Sequence, residues 1–296
     1  MARFSSPEKQ SSSVIKELQT EAIKSLGTVR NYEQALKNVS SYLSENKLGS
    51  LRDMTPESAI SYLNKRASEV GQKALDMERQ AIQSMLKNVT NKLDQDKHLE
   101  VVKTLKDEKL TSRAYTNQQA KIIAASQTPK NSLSTKIAAA CGLRAHELLT
   151  LKRESEKQAD DRPVHQNKFT GLQEKSIAYT VTGKGGLTRE VMIPRDLAYK
   201  LENTRLDQPR IVKDRGVRYT QHYNINGGQR WSNSFSAASL RAFGWSRGAH
   251  GLRHSYAQNR MHVLQKEYGV SREDSLKAVS QEMGHQRISI VEVYLR

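Results

Sequence analysis

Apolar side chains in the first third of the chain recur at three- and four-residue spacing, the period of amphipathic helices. One such run covers about Ser12 to Leu26, and a second carries Tyr32, Leu36, Val39 and Leu43. A third starts behind Thr55-Pro56, with proline in the first turn, and holds Ile60 and Leu63; a fourth extends from about Lys73 to Val89. Together they predict a small helical bundle. The segment KDEKLTSR, 106–113, is charged and lacks periodic apolar residues, which places a domain boundary there and divides the chain into 1–110 and 111–296. Thr116 with Gln119 then forms a capping-box pattern ahead of Ile122 and Ile123, so a helix restarts. Ser176 to Thr182 alternates instead, with Ile177, Tyr179 and Val181 on one face. Val191 and Ile193 repeat that period after Gly183-Lys184-Gly185-Gly186, which predicts a β-hairpin with a lysine at its tip. The polar stretch between Lys152 and Lys175 reads as an exposed loop, ordered on a partner. Helical periods return after residue 195 and end in Ser271 to Met283, where Ser271 caps, Leu276, Val279 and Met283 share a face, and Gly284 stops the helix. The fold class expected is mostly α with a small antiparallel β-sheet: a helical first domain and an α+β second one.

Charge sharpens this picture. The 296 residues carry 48 Lys and Arg against 31 Asp and Glu, a net +17. Residues 1–113 hold 19 basic and 15 acidic side chains, while 114–296 hold 29 and 16, so the excess sits mainly in the second domain. A partner with negative charge is implied, nucleic acid before an anionic membrane. The longest apolar run, Ile137 to Leu143, falls well short of the roughly 18 residues of a spanning helix, and the start MARFSSPEKQSSS has no hydrophobic signal core. A cytoplasmic, nucleoid-associated protein is therefore expected, with residues 1–10 read as disordered in preference to an arm that binds DNA. The lone Cys141 can form no internal disulfide and reads as a small buried residue.

Six side chains of the second domain, Arg144, Lys184, His250, Arg253, His285 and Tyr294, fall at element boundaries from which they can reach a shared cleft. Arg144 follows a helix stop at Gly142 and precedes what reads as a new helix, with Glu147 in its first turn placed to hold the arginine. His250 and Arg253 are three apart and face one side of a helix. Cutting a phosphodiester without a metal needs a nucleophile, cationic donors for the non-bridging oxygens and an acid for the leaving oxygen. Two arginines suit the phosphate, because each guanidinium gives paired charge-assisted hydrogen bonds and stays charged.

The blocks GLRAHELLTL, TGKGGLTREV, HGLRHSYA and MGHQRISIVEVYL, in this order, resemble the catalytic signature of the tyrosine recombinases, or phage integrase family. The resemblance spans about residues 114–296, and NYEQALKNVSSYLSENKLGS in the first part resembles that family's helical, SAM-like core-binding domain. It implies a site-specific recombinase or integrase of a mobile element, with Tyr294 as the nucleophile of a 3′-phosphotyrosyl link. By the same resemblance Arg144 and Arg253 hold the phosphate and Lys184 is the acid to the leaving 5′ oxygen. His250 is the acid–base group, His285 hydrogen-bonds the phosphate, and Glu147 supports. It implies no metal and no cofactor, double-stranded DNA sites as partner, and a clamp of the two domains around one duplex. A tetramer of the chain on two duplexes and accessory DNA-bending proteins complete the expected partners.

The sequence departs from the family pattern in places. Only Leu295 and Arg296 follow Tyr294, whereas members commonly continue into a further helix; either the chain extends beyond Arg296 or assembly works differently. Met283 replaces a common leucine. The spacings from Lys184 to His250 and from Arg253 to His285 are long and predict insertions at about Asn203 to Trp231 and Val263 to Arg272. Rival readings are weaker. His250 and His254, four apart, lack the glutamate of a HExxH zinc site, and the glycines around Lys184 lack the spacing of a nucleotide loop. Trp231, Phe235, Phe243 and Trp245 are expected in the core rather than stacked on bases. Two alternatives of function stand beside the recombinase: a topoisomerase-like nicking and closing enzyme, and a DNA-binding protein of the same fold that does not cut.

Overall fold

The computed structural model describes residues 5–107, 111–285 and 287–296. They fall into two compact units that meet in sequence between Lys109 and Leu110. The expected linker 106–113 therefore lies partly outside the described residues, as do the first four residues of the expected disordered start. The rest of that start is not disordered: α1 begins at Pro7, because Ser6 accepts a hydrogen bond from the Lys9 amide and proline suits the first turn.

Among the described residues the first unit holds the α-helices α1 (Pro7–Glu21), α2 (Leu26–Glu45), α3 (Pro56–Arg66) and α4 (Gln72–Asn88). Thr55 and Ser58 form a reciprocal capping box ahead of Pro56. Leu18, Leu36, Val39, Tyr62, Leu63, Ile82 and Met85 are fully buried between the helices, and each large apolar side chain contributes roughly 1.5–3 kcal/mol. The buried carboxylate of Glu78 is satisfied by the Tyr62 hydroxyl at 2.8 Å and by Arg66 at 2.9 Å.

In the second unit, α5 (Asn117–Ala125), capped by Thr116 and Gln119, pairs with α6 (Pro129–Cys141). Gly142 ends α6 in the left-handed region at φ +59°, where a Cβ would meet the Tyr256 ring at 2.7 Å. Cys141 is buried and its Sγ donates to the Met192 carbonyl; burial pushes its thiol up to about 12. The strands β1 (Lys152–Arg153), β2 (Ser176–Thr182) and β3 (Thr188–Pro194) form an antiparallel sheet in the order β1-β2-β3. After α7 (Arg195–Glu202) come β4 (Arg205–Asp214) and β5 (Val217–Tyr223), a separate two-stranded ribbon. Then follow α8 (Gly228–Phe243), α9 (Gly251–Lys266), α10 (Arg272–Glu282) and α11 (Ile288–Tyr294). One core lies between α5, α6, α8 and the sheet, with Trp231 and Phe235 at its centre and Phe243 and Trp245 partly buried at its edge. The other packs Tyr256, Leu264, Val279, Met283 and Val291 between α9, α10 and α11. No helix among the described residues is long and apolar enough to cross a membrane.

Two expectations are corrected. No helix follows Arg144: Glu147–Leu149 makes a single 3-10 turn, after which Thr150 bonds Thr182 and draws the chain into β1. Ile177, Tyr179 and Val181 share a face of β2 as expected, opposite Ile193, Val191 and Arg189, with Ile177 itself exposed at the strand's start. The stretch between Lys152 and Lys175 is exposed over 154–164 but docked beyond it. Phe169 is buried, its amide donates to the Glu282 carboxylate at 2.9 Å, and the His165 amide donates to Gln281. Asn203 to Trp231 contains the β4–β5 ribbon, and Val263 to Arg272 forms the last turn of α9 and the turn into α10.

Candidate active site

Glu147 is the centre around which the charged side chains assemble. It is fully buried, accepts from the Arg144 amide and Nη1 at 2.8 Å each, and accepts from Arg189 Nη2 at 2.8 Å. Arg253 Nη1 lies 3.9 Å from the same carboxylate. Burial alone would raise its pKa, but the charges of Arg189, Arg253 and Arg144 overcome that and hold the carboxyl well below the usual range. The anion is thus permanent, and three guanidiniums are fixed about it.

Arg253 enters from the first turn of α9 and is itself fully buried. It donates to the Gly142 carbonyl and, at 3.1 Å, to the Met283 carbonyl, so a helix end on each side orients it. Burial lowers its pKa to about 10, which leaves it charged at neutral pH. Arg144 stays a quarter exposed. The two arginines converge on His285 Nε2, Arg253 at 2.9 Å and Arg144 at 3.4 Å. A guanidinium only donates, so Nε2 accepts and the imidazole proton sits on Nδ1. Burial and these cations pull His285 down to about 3 and His250 to about 4. Gly284 makes this turn possible at φ +69°, where a Cβ would strike Arg189 at 2.6 Å.

Tyr294 ends α11 and is nearly buried. Its ring stands 5.4 Å from that of His250, 5.5 Å from His285 and 4.8 Å from His254, with the Arg253 guanidinium 5.5 Å from its centroid. Lys184 is exposed in the β2–β3 turn. The turn starts against the cluster, since a Cβ on Gly183 would lie 3.4 Å from Glu147 Oε1 and 4.0 Å from Arg144 Nη1. The structure therefore gathers Arg144, Glu147, His250, Arg253, His285 and Tyr294 into one site, with Lys184 at its edge. Chemically, the site offers donors for an anion, neutral histidines that can take a proton, and a hydroxyl beside them. No group of three or more metal-ligating side chains occurs among the described residues.

The sequence does not assign two further participants to this site. Arg189 bridges the Glu147 carboxylate and the Glu282 carbonyl from β3, and its signal was present: it shares the inward alternation of Val191 and Ile193. His254, on the next turn of α9 from His250, packs on Tyr294.

The depressed histidines predict how stability follows pH. A histidine kept neutral in the fold binds fewer protons than in the unfolded chain, where it titrates near ~6.5, so stability is full above that pH and falls with acidification towards the folded values. Glu147, shifted down, adds a loss of the same sign below ~4.5. In a buffer free of phosphate and sulfate the melting temperature should be level above about pH 7 and decline steadily below about 6.5. A melting temperature constant down to about pH 5 would contradict neutral burial of His250 and His285.

No family model matches the chain, and no curated protein matches its sequence. Solved structures do match its fold. One is the XerH site-specific recombinase bound to a palindromic difH substrate, post-cleavage, at 18% identity and a TM-score of 0.59, covering 98% of this chain and 81% of that one. Another is a lambda integrase dimer bound to a COC' core site, at 16% identity and 0.62, covering 97% and 76%. A third is the Tn1549 transposon integrase with a circular intermediate DNA, at 12% identity and 0.57, covering 97% and 95%. The lambda integrase is also matched as a tetramer on a Holliday junction, at 0.58. The fold is that of the tyrosine recombinase catalytic domains.

Proposed function

We propose that the protein is a site-specific recombinase or integrase of a mobile element that cuts and rejoins DNA strands through a 3′-phosphotyrosyl intermediate. One observation carries the reading: Arg144, Arg253 and His285 meet at a single point, and the Tyr294 ring stands beside it. A phosphate placed there would receive charge-assisted hydrogen bonds from both arginines, and the same donors would hold the added negative charge of the transition state. Tyr294 Oη attacks phosphorus and forms the new P–O bond, while the bond from phosphorus to the 5′ oxygen breaks. The phenol proton passes to His250, which is neutral and adjacent; the leaving 5′ oxygen takes a proton from Lys184 at the turn. The reverse attack by a 5′ hydroxyl of another strand rejoins the DNA, so the bond energy is kept and no nucleotide cofactor is needed. Glu147 positions the arginines. Residues 1–110 serve as a core-binding domain and 111–296 as the catalytic one. The matched recombinases on DNA and on a Holliday junction support duplex DNA as partner and assembly of several copies.

The test is covalent trapping. Protein is incubated, with EDTA present, with duplexes of candidate attachment sites nicked next to the cleavage position, so that the short 5′ product diffuses away. A protein–DNA adduct on a denaturing gel is the expected result. Duplex binding without any adduct across a library of the element's ends would count against cutting and favour a DNA-binding role alone.

A further inference from the structure

The β4–β5 ribbon has two faces of different character. Val212, Tyr219 and Gln221 turn towards the body of the unit: Gln221 donates to the Ile225 carbonyl and the Tyr219 ring packs against His146. The opposite face carries Ile211 and Lys213 on β4, paired in register with Thr220 and Arg218 on β5, and all four are exposed. Ile211 is 64% exposed, an unusual position for a β-branched apolar side chain. Over Arg205–Tyr223 the ribbon has five basic residues and two acidic ones.

Two features of this outer face call for a partner. Lys213 stands directly opposite Arg218, and like charges across an antiparallel pair repel and weaken it. Among the described residues neither side chain has an ion pair or hydrogen bond, whereas Arg205, Arg210 and Arg215 are engaged with Glu156, Gln221 and Asp214. An anion between Lys213 and Arg218 would convert the repulsion into a paired contact.

The ribbon is also tied to the catalytic cluster. Asp214, at the end of β4, accepts from the Gln229 amide, and the next amide back, Gly228, donates to the Ala145 carbonyl, one residue after Arg144. His146 touches Tyr219, and burial, with Arg144 and then Arg215 in the ribbon's turn, lowers the His146 pKa. The ribbon is thus anchored to the segment that carries Arg144.

We propose that the outer face of the β4–β5 ribbon, through Lys213 and Arg218, grips the sugar–phosphate backbone of the same duplex whose scissile phosphate lies at Arg144 and Arg253. The inference rests on the reading of the protein as one that binds and cuts DNA. A two-stranded ribbon is narrow enough to lie along or within a major groove about 12 Å wide, and a contact to phosphate adds affinity and fixes register without reading bases.

Because phosphate contacts do not depend on sequence, the test needs no known target. Binding of the full-length protein to a fluorescent duplex of arbitrary sequence is followed by anisotropy across a series of potassium chloride concentrations, for the parent and for the double variant Lys213→Gln, Arg218→Gln. Each neutralised contact removes about 0.9 from the slope of log K against log salt, so the variant's slope should be shallower by about 1.8. Its melting temperature without DNA should be equal or higher, since a repulsive pair has gone. A photo-crosslinking residue in place of Ile211 should join to the duplex. An unchanged slope, or a crosslink from position 211 to a second copy of the chain instead of to DNA, would overturn the ribbon's role while leaving the cutting site untouched. A parent protein that binds no duplex at all would remove both readings together.

Discussion

Tyr294→Phe should abolish the covalent adduct and leave DNA binding and the fold in place. The hydroxyl makes no hydrogen bond within the described residues, while the ring is held by His250, His254 and His285 and the backbone by Gln258, which donates to the Tyr294 carbonyl at 3.0 Å. Phenylalanine keeps all of these contacts and lacks only the attacking oxygen. Loss of a nucleophile costs an enzyme on the order of 10⁶-fold in rate, since binding and electrostatic stabilisation alone cannot replace the covalent step. The adduct band should vanish from a denaturing gel, and the anisotropy titration and melting curve should overlay those of the parent. An adduct that survives the change would assign the nucleophile elsewhere.

Glu147→Ala should destabilise the second unit by about 3–5 kcal/mol, because it removes the buried anion that offsets Arg189, Arg253 and Arg144. Arg253 has no exposed surface through which water could take over. With a domain of this size, that loss corresponds to a melting temperature lower by roughly 6–20 °C. Both tryptophans, Trp231 and Trp245, belong to this unit, so their fluorescence reports its unfolding without interference from the helical bundle. Glu147→Gln should fall between parent and Ala, since the amide oxygen still accepts one arginine but carries no charge. A loss for Ala below about 1 kcal/mol would show that the arginines find other counter-charges.

Much of this architecture was legible before any coordinates. The four helices of the bundle follow from three- and four-residue apolar spacing, and the Thr116 and Ser271 caps sit where their side chains accept from Gln119 and Asp274. The glycine turn with Lys184 separates two alternating runs that pair as β2 and β3. The fold class agrees as well: mostly helical, with small antiparallel sheets. What stayed hidden shares a cause. The β4–β5 ribbon has one face in solvent along most of its length and a proline at position 209, so no inward apolar alternation marks it. Phe169 is a single apolar anchor in a polar run, and its docking depends on Glu282, more than a hundred residues away. Glu147 ends in a tight turn rather than a helix because its carboxylate is claimed by Arg144 and Arg189, a non-local demand that local propensity cannot register. The candidate residues were found through the blocks that surround them; Arg189 and His254 lie inside the same blocks, yet only three-dimensional contact distinguishes them from ordinary strand and helix positions.

The burial of Cys141 has a practical consequence. A thiol must ionise to react with a maleimide or a methanethiosulfonate, and this one is enclosed and pushed up to about 12. The native chain is thus a blank background for thiol labelling. A cysteine introduced at exposed Ser68 and another at exposed Ala237 would each be the sole kind of reactive group on its unit. Spin labels at that pair would give the distribution of separations between the two units by pulsed dipolar spectroscopy, with and without DNA, without altering a single residue of the candidate site.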